Sequence, residues 1–168
     1  MKICISNIDQ NNIQNARYYL NTHEDTSQFL INNYYEHGPI LTAHNNSGNF
    51  KIIHDEEKIV GVFCLARRGN LLVQMDGDFS EIILNSCKHE PINLRGFIGD
   101  WCSIKPIWKR FKESNPDYVP SIESKEILYS YELHSYDKKL KHDSHVRLMQ
   151  KSDFKQTPNS FNKAKAFK

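Results

Sequence analysis

The stretch LARRGNLLVQMDGDF, residues 65–79, concentrates side chains whose types and spacing could do chemistry. Arg67, Arg68 and Gly69 precede an apolar run and have the composition of a phosphate-gripping loop, although the further glycines and the following lysine of a P-loop are missing. The same three residues suit the tip of a β-hairpin equally well, and the choice turns on where the next helix begins. At the other end of the stretch Asp76 and Asp78 flank Gly77. Carboxylates at a helix start accept from its free N–H groups, and at about 4 Å each repels a phosphate by about 1 kcal/mol in water, more where water is partly excluded. An aspartate-capped helix start is favoured there over an anion site.

Other candidate constellations carry less. HDSH (142–145) spaces two histidines around an aspartate and CKH (87–89) adds two more donors, but zinc needs three or four converging ligands. No metal is expected. Cys4, Cys64, Cys87 and Cys102 form no CxxC pair, so reduced, buried thiols are expected. KPIWKRFK (105–112) interleaves aromatics with cations as single-strand binders do, yet it also suits a solvated helix face with Trp108 and Phe111 turned inward, which is the expectation. No Ser-His-Asp arrangement, HExxH or Walker motif is present.

The elements that must position these groups belong to a chain of 168 residues, long enough to bury a core without disulfide or metal. Twenty-two basic and 20 acidic side chains leave a net charge of +2, so no field pulls in nucleic acid, and none is expected as a partner. The opening apolar run is too short for a secretory signal and IVGVFCLA is too short to span a bilayer; a cytoplasmic protein with no membrane partner is expected.

Residues 3–8 alternate as a short strand, and NNIQNARYYL carries a helical pattern. A second helix starts at a capping-box-like Thr22…Asp25, presents Phe29, Leu30, Ile31, Tyr34 and Tyr35 as an apolar face, and stops at Gly38-Pro39. FKII (50–53), KIVGVFCLA (58–66) and NLLVQM (70–75) read as an antiparallel meander joined by HDEE and RRG. DFSEIILNSCKHEP holds an amphipathic helix ended by Pro91, INLRGFIG (92–99) returns to strand, a helix begins at Pro106, and SKEILYSYEL (124–133) is a further strand. The helix between NLLVQM and INLRGFIG makes those two strands parallel neighbours. The fold class is α+β (mixed α/β), with a central, mostly antiparallel sheet, one parallel strand pair and flanking helices.

That order, with the stretch IVGVFCLARRGNLLVQM…DFSEIIL…INLRGFIGDW…ESKEILYSYEL, resembles the GNAT superfamily of N-acetyltransferases, and in particular the diverged N-terminal domain of tandem GNAT proteins. The resemblance covers roughly residues 18–154 and implies a GNAT-like domain over 1–134. It implies a linker and the start of a truncated second GNAT domain over 135–154, where HVRLMQKSDF looks like a domain opening, and a polar, flexible tail over 155–168. It implies acetyl-CoA as cofactor, held by the loop before the third helix and by a gap between the parallel strands that Val73, Gln74 and Met75 would line, with Gly77 in the loop. Asp100 is the candidate base, and Tyr118 or Tyr129 the candidate acid, for acyl transfer to a small-molecule or peptide amine. A helix cap for Asp100 and packing roles for the tyrosines are the simpler readings. QMDGDFSE (74–81) departs from the family's Q/R-x-x-G-x-G/A signature: it has one glycine, no arginine and two aspartates, which implies a degenerate coenzyme A site.

Three functions follow. The chain is an acyl-CoA-dependent N-acyltransferase; or a non-catalytic GNAT-fold module that binds a substrate, a ligand or a second GNAT domain; or an interaction domain, a homodimer through a sheet edge or through Tyr18, Tyr19, Tyr34 and Tyr35.

Overall fold

A computed structural model describes residues 3–124, which lie in the first of the two units into which the chain divides, Met1–Tyr129. Tyr129, the strand expected over 124–133 beyond its first residue, the HDSH motif, the expected second-domain start and the tail all lie outside the described residues.

The elements run β1 (Ile3–Asn7), α1 (Ile13–Thr22), α2 (Glu24–His37), β2 (Gly48–Asp55), β3 (Lys58–Ala66), β4 (Asn70–Met75), α3 (Ser80–Lys88), β5 (Gly96–Gly99) and α4 (Trp101–Ser114). The five strands form one sheet in the order β1-β2-β3-β4-β5, antiparallel throughout except for the parallel β4–β5 pair. Tight turns make β2–β3 and β3–β4 antiparallel neighbours, whereas the longer connection through α3 brings β5 back parallel to β4. The protein is therefore mixed α+β, with helices on both faces of a mostly antiparallel sheet.

Alternation along the central strands divides the core in two. Phe50, Ile52, Val62, Cys64 and Leu72 face α1 and α2, where Ala16, Leu20, Leu30 and Tyr34 meet them. Phe63, Leu65, Leu71, Val73 and Met75 face α3 and α4, against Ile83, Cys87, Ile104 and Ile107. With both faces covered, β3 and β4 read as continuous apolar runs.

Several boundaries differ from expectation. Thr22 does not open α2. It closes α1, where its hydroxyl donates to Tyr19 O at 2.8 Å, the back-bond open to a β-branched hydroxyl, and α2 starts at Glu24 without a side-chain cap. Only part of α2's apolar stripe points inward: Leu30 and Tyr34 are buried, whereas Phe29 and Tyr35 are exposed, because residues one position apart on a helix diverge by about 100°. β2 begins two residues before FKII and runs two beyond it, α3 ends at Lys88 before Pro91 is reached, and β5 keeps only the last four residues of INLRGFIG.

Pro106 does not begin α4. The helix starts at Trp101, with Asp100 as its N-cap accepting from Cys102 N at 2.7 Å, and Pro106 sits inside it. Trp108 and Phe111 do turn inward, into a half-buried aromatic cluster with Phe97 and Tyr118 whose ring centroids lie 5.1–6.0 Å apart. Gly38, at φ +73°, ends α2 in the left-handed region that glycine adopts without strain.

Candidate functional site

The two ends of the opening stretch have different fates. Arg67, Arg68 and Gly69 form the β3–β4 hairpin tip, with Gly69 at φ +91° and its N–H donating to Ala66 O at 2.7 Å. The Arg67 side chain is engaged by the loop beside it, Nε donating to Thr42 O at 2.6 Å, and the backbone N–H groups of Arg67 and Arg68 donate to Ser47 O and Asn45 O. They stand a strand's length from the start of α3.

At that helix start both carboxylates are engaged within the protein. Asp78 Oδ1 accepts from Ser80 N at 3.0 Å. Hydrogen bonds from the Ser80 hydroxyl and amide hold the Asp78 carboxyl below its usual range, with Arg110 and Lys109 adding a smaller attraction. Arg110 reaches across from α4, donating from Nε to Ser80 Oγ and from Nη1 to Glu81 Oε2, both at 3.1 Å. Gly77 is required by its backbone, at φ +127°. The loop that would grip a pyrophosphate is thus closed on itself, with one cation already paired.

Asp76 turns the other way, to the junction of α1 and α2. Its Oδ1 lies 3.1 Å from His23 Nε2, while His23 Nδ1 lies 2.8 Å from Tyr19 O and 3.3 Å from Thr22 Oγ1. The chain carboxylate–imidazole–hydroxyl has the connectivity of a nucleophile triad but the wrong polarity. A nitrogen that donates to Tyr19 O cannot accept the Thr22 proton, and the Thr22 hydroxyl donates to that same carbonyl. The group staples the helix junction to the end of β4. Sequence spacing gives no sign of it, since His23 and Asp76 are separated by 53 positions. Tyr19 packs beside the imidazole at 4.4 Å between centroids, and burial together with the Asp76 carboxylate pushes its hydroxyl far above the ordinary tyrosine range.

The expected coenzyme slot lies where β4 and β5 end. Their register runs Asn70↔Gly96 to Val73↔Gly99, and a Cβ at Gly99 would come within 2.7 Å of Val73 O. Val73, Gln74 and Met75 are 1%, 5% and 6% exposed. Beyond the last pair, Met75 N donates to Ser103 Oγ at 3.2 Å, so the first turn of α4 occupies the space between the strands. A gap of about 10 Å³ bounded by Ser27, Leu72, Val73, Ile98 and Gly99 remains, room for at most one water. Gln74 Oε1 is buried without a hydrogen-bond partner.

The candidate acid and base are not brought together. Asp100 caps α4 at the far end of β5, whereas the Tyr118 hydroxyl donates to Arg95 O at 3.0 Å, just before the strand begins. At about 3.3 Å per residue the two anchor points are about 16 Å apart. Tyr129 lies outside the described residues. Among the described residues, no group of three or more His, Cys, Asp or Glu side chains could hold a metal ion, and no helix is long and apolar enough to cross a membrane.

A cleft of about 480 Å³ lies elsewhere, between α3 and α4, with Leu84, Ile92, Leu94 and Phe111 as its apolar lining. Glu90 at its edge is held by Asn49 and by an ion pair with Lys51, which also donates to Ser86 Oγ at 2.9 Å. No protein-family profile matches the chain, and neither does any curated protein or solved structure.

Proposed function

We propose that this chain carries a GNAT-like domain that has lost coenzyme A binding and works as a non-catalytic binding module. The observation that carries this reading is the filled space between β4 and β5, where Ser103 takes Met75 N and Gly99 closes on Val73 O. A thioester arm has no path between those strands without displacing the first turn of α4. The start of α3 supports the same conclusion, because its Ser80 amide is already engaged by Asp78 and the neighbouring Arg110 by Ser80 and Glu81. Acyl transfer to a small-molecule or peptide amine would further require an acid and a base in one place, and Asp100 and Tyr118 are anchored apart.

Calorimetric titration and thermal melts of the full chain with acetyl-CoA test the proposal. No heat and no shift in Tm at millimolar ligand are expected; saturable binding in the micromolar range would overturn it.

A second reading, an interaction domain that self-associates, is favoured by one specific observation. Tyr18, Phe29 and Tyr35 on α1 and α2 are 73%, 62% and 59% exposed, large side chains left in water. Tyr19 and Tyr34, expected beside them, are buried and take no part. Sedimentation of the wild type beside a Tyr18→Ser/Phe29→Ser/Tyr35→Ser variant separates the cases. A concentration-dependent dimer lost in the variant supports this reading, and a monomer at all concentrations removes it.

A further inference from the structure

We draw no further inference here: the strongest candidate, the cleft of about 480 Å³ between α3 and α4, has its charged lining groups engaged within the protein, Arg110 with Glu81, Glu90 with Lys51 and Lys88 with Asn85, and nothing in the structure shows what covers its apolar floor.

Discussion

Asp78 illustrates how one exposed side chain can support a helix start. Its carboxylate satisfies the Ser80 amide that an anion would otherwise take. Because the folded-state carboxyl is held below its usual range, its stabilisation is complete above the unfolded value, near pH 4, and is lost as pH falls through the depressed folded value. Asp78→Ala is expected to cost about 0.5–1 kcal/mol at pH 7, the low end for a helix cap because the group is exposed. Denaturation curves of both proteins between pH 7 and pH 2 check this: the gap between them narrows below pH 4, and a gap independent of pH would refute the cap. That a carboxylate meets the start of α3 was legible in MDGDFSE, where two carboxylates precede a helical pattern, although the N-cap position itself falls to Phe79. That Asp76 instead binds His23 was not, because the partner comes from a distant helix junction.

At the scale of elements, α3 is tied to the sheet by more than its apolar stripe. Lys51 on β2 and Glu90 just beyond α3 pair at 14% and 9% side-chain exposure, and Asn49 and Ser86 complete their hydrogen bonds. Removing one partner from a mostly buried pair leaves an uncompensated charge, a loss of about 3–5 kcal/mol. Lys51→Met is therefore expected to lower unfolding free energy by about that amount in urea. Lys51→Met/Glu90→Leu is expected to recover most of it, since two apolar groups of similar volume leave no charge behind. A double variant no more stable than the single one would contradict this account. Periodicity in the sequence located every described element, and β3 and β4 were bounded to the residue because polar turns flank them. Helix starts were less legible: Thr22 and Pro106 have the right types for N-terminal positions, but neighbouring contacts decided where the helices begin. Asp100 captured Cys102 N, and α4 starts at Trp101, five residues ahead of Pro106.

For the molecule as a whole, the sheet separates the four cysteines by environment. None is in a disulfide; Cys64 and Cys87 are buried on opposite faces of the sheet, while Cys4 and Cys102 are exposed, against the expectation that all are buried. Burial pushes the Cys87 thiol up to about 12 and the Cys64 thiol higher still. A thiol-specific chromogenic reagent at pH 8 should therefore titrate two groups rapidly in the native protein and four in denaturant. Rapid reaction of Cys64 or Cys87, mapped by peptide mass, would contradict the packing of the two layers.

By itself the sequence determined the fold class, the parallel crossover from NLLVQM to the strand after α3, and the position of RRG at a hairpin tip. All of these rest on contacts between neighbours in the chain, on periodicity or on connection length. Only the tertiary structure decided that the gap between β4 and β5 is filled, that Asp100 and Tyr118 are anchored at opposite ends of β5, and that His23 and Asp76 meet. Those facts depend on how closely two backbones approach and on which side chain of a distant helix enters between them. Neither residue type nor spacing encodes such distances, because close packing is settled by all the neighbours at once.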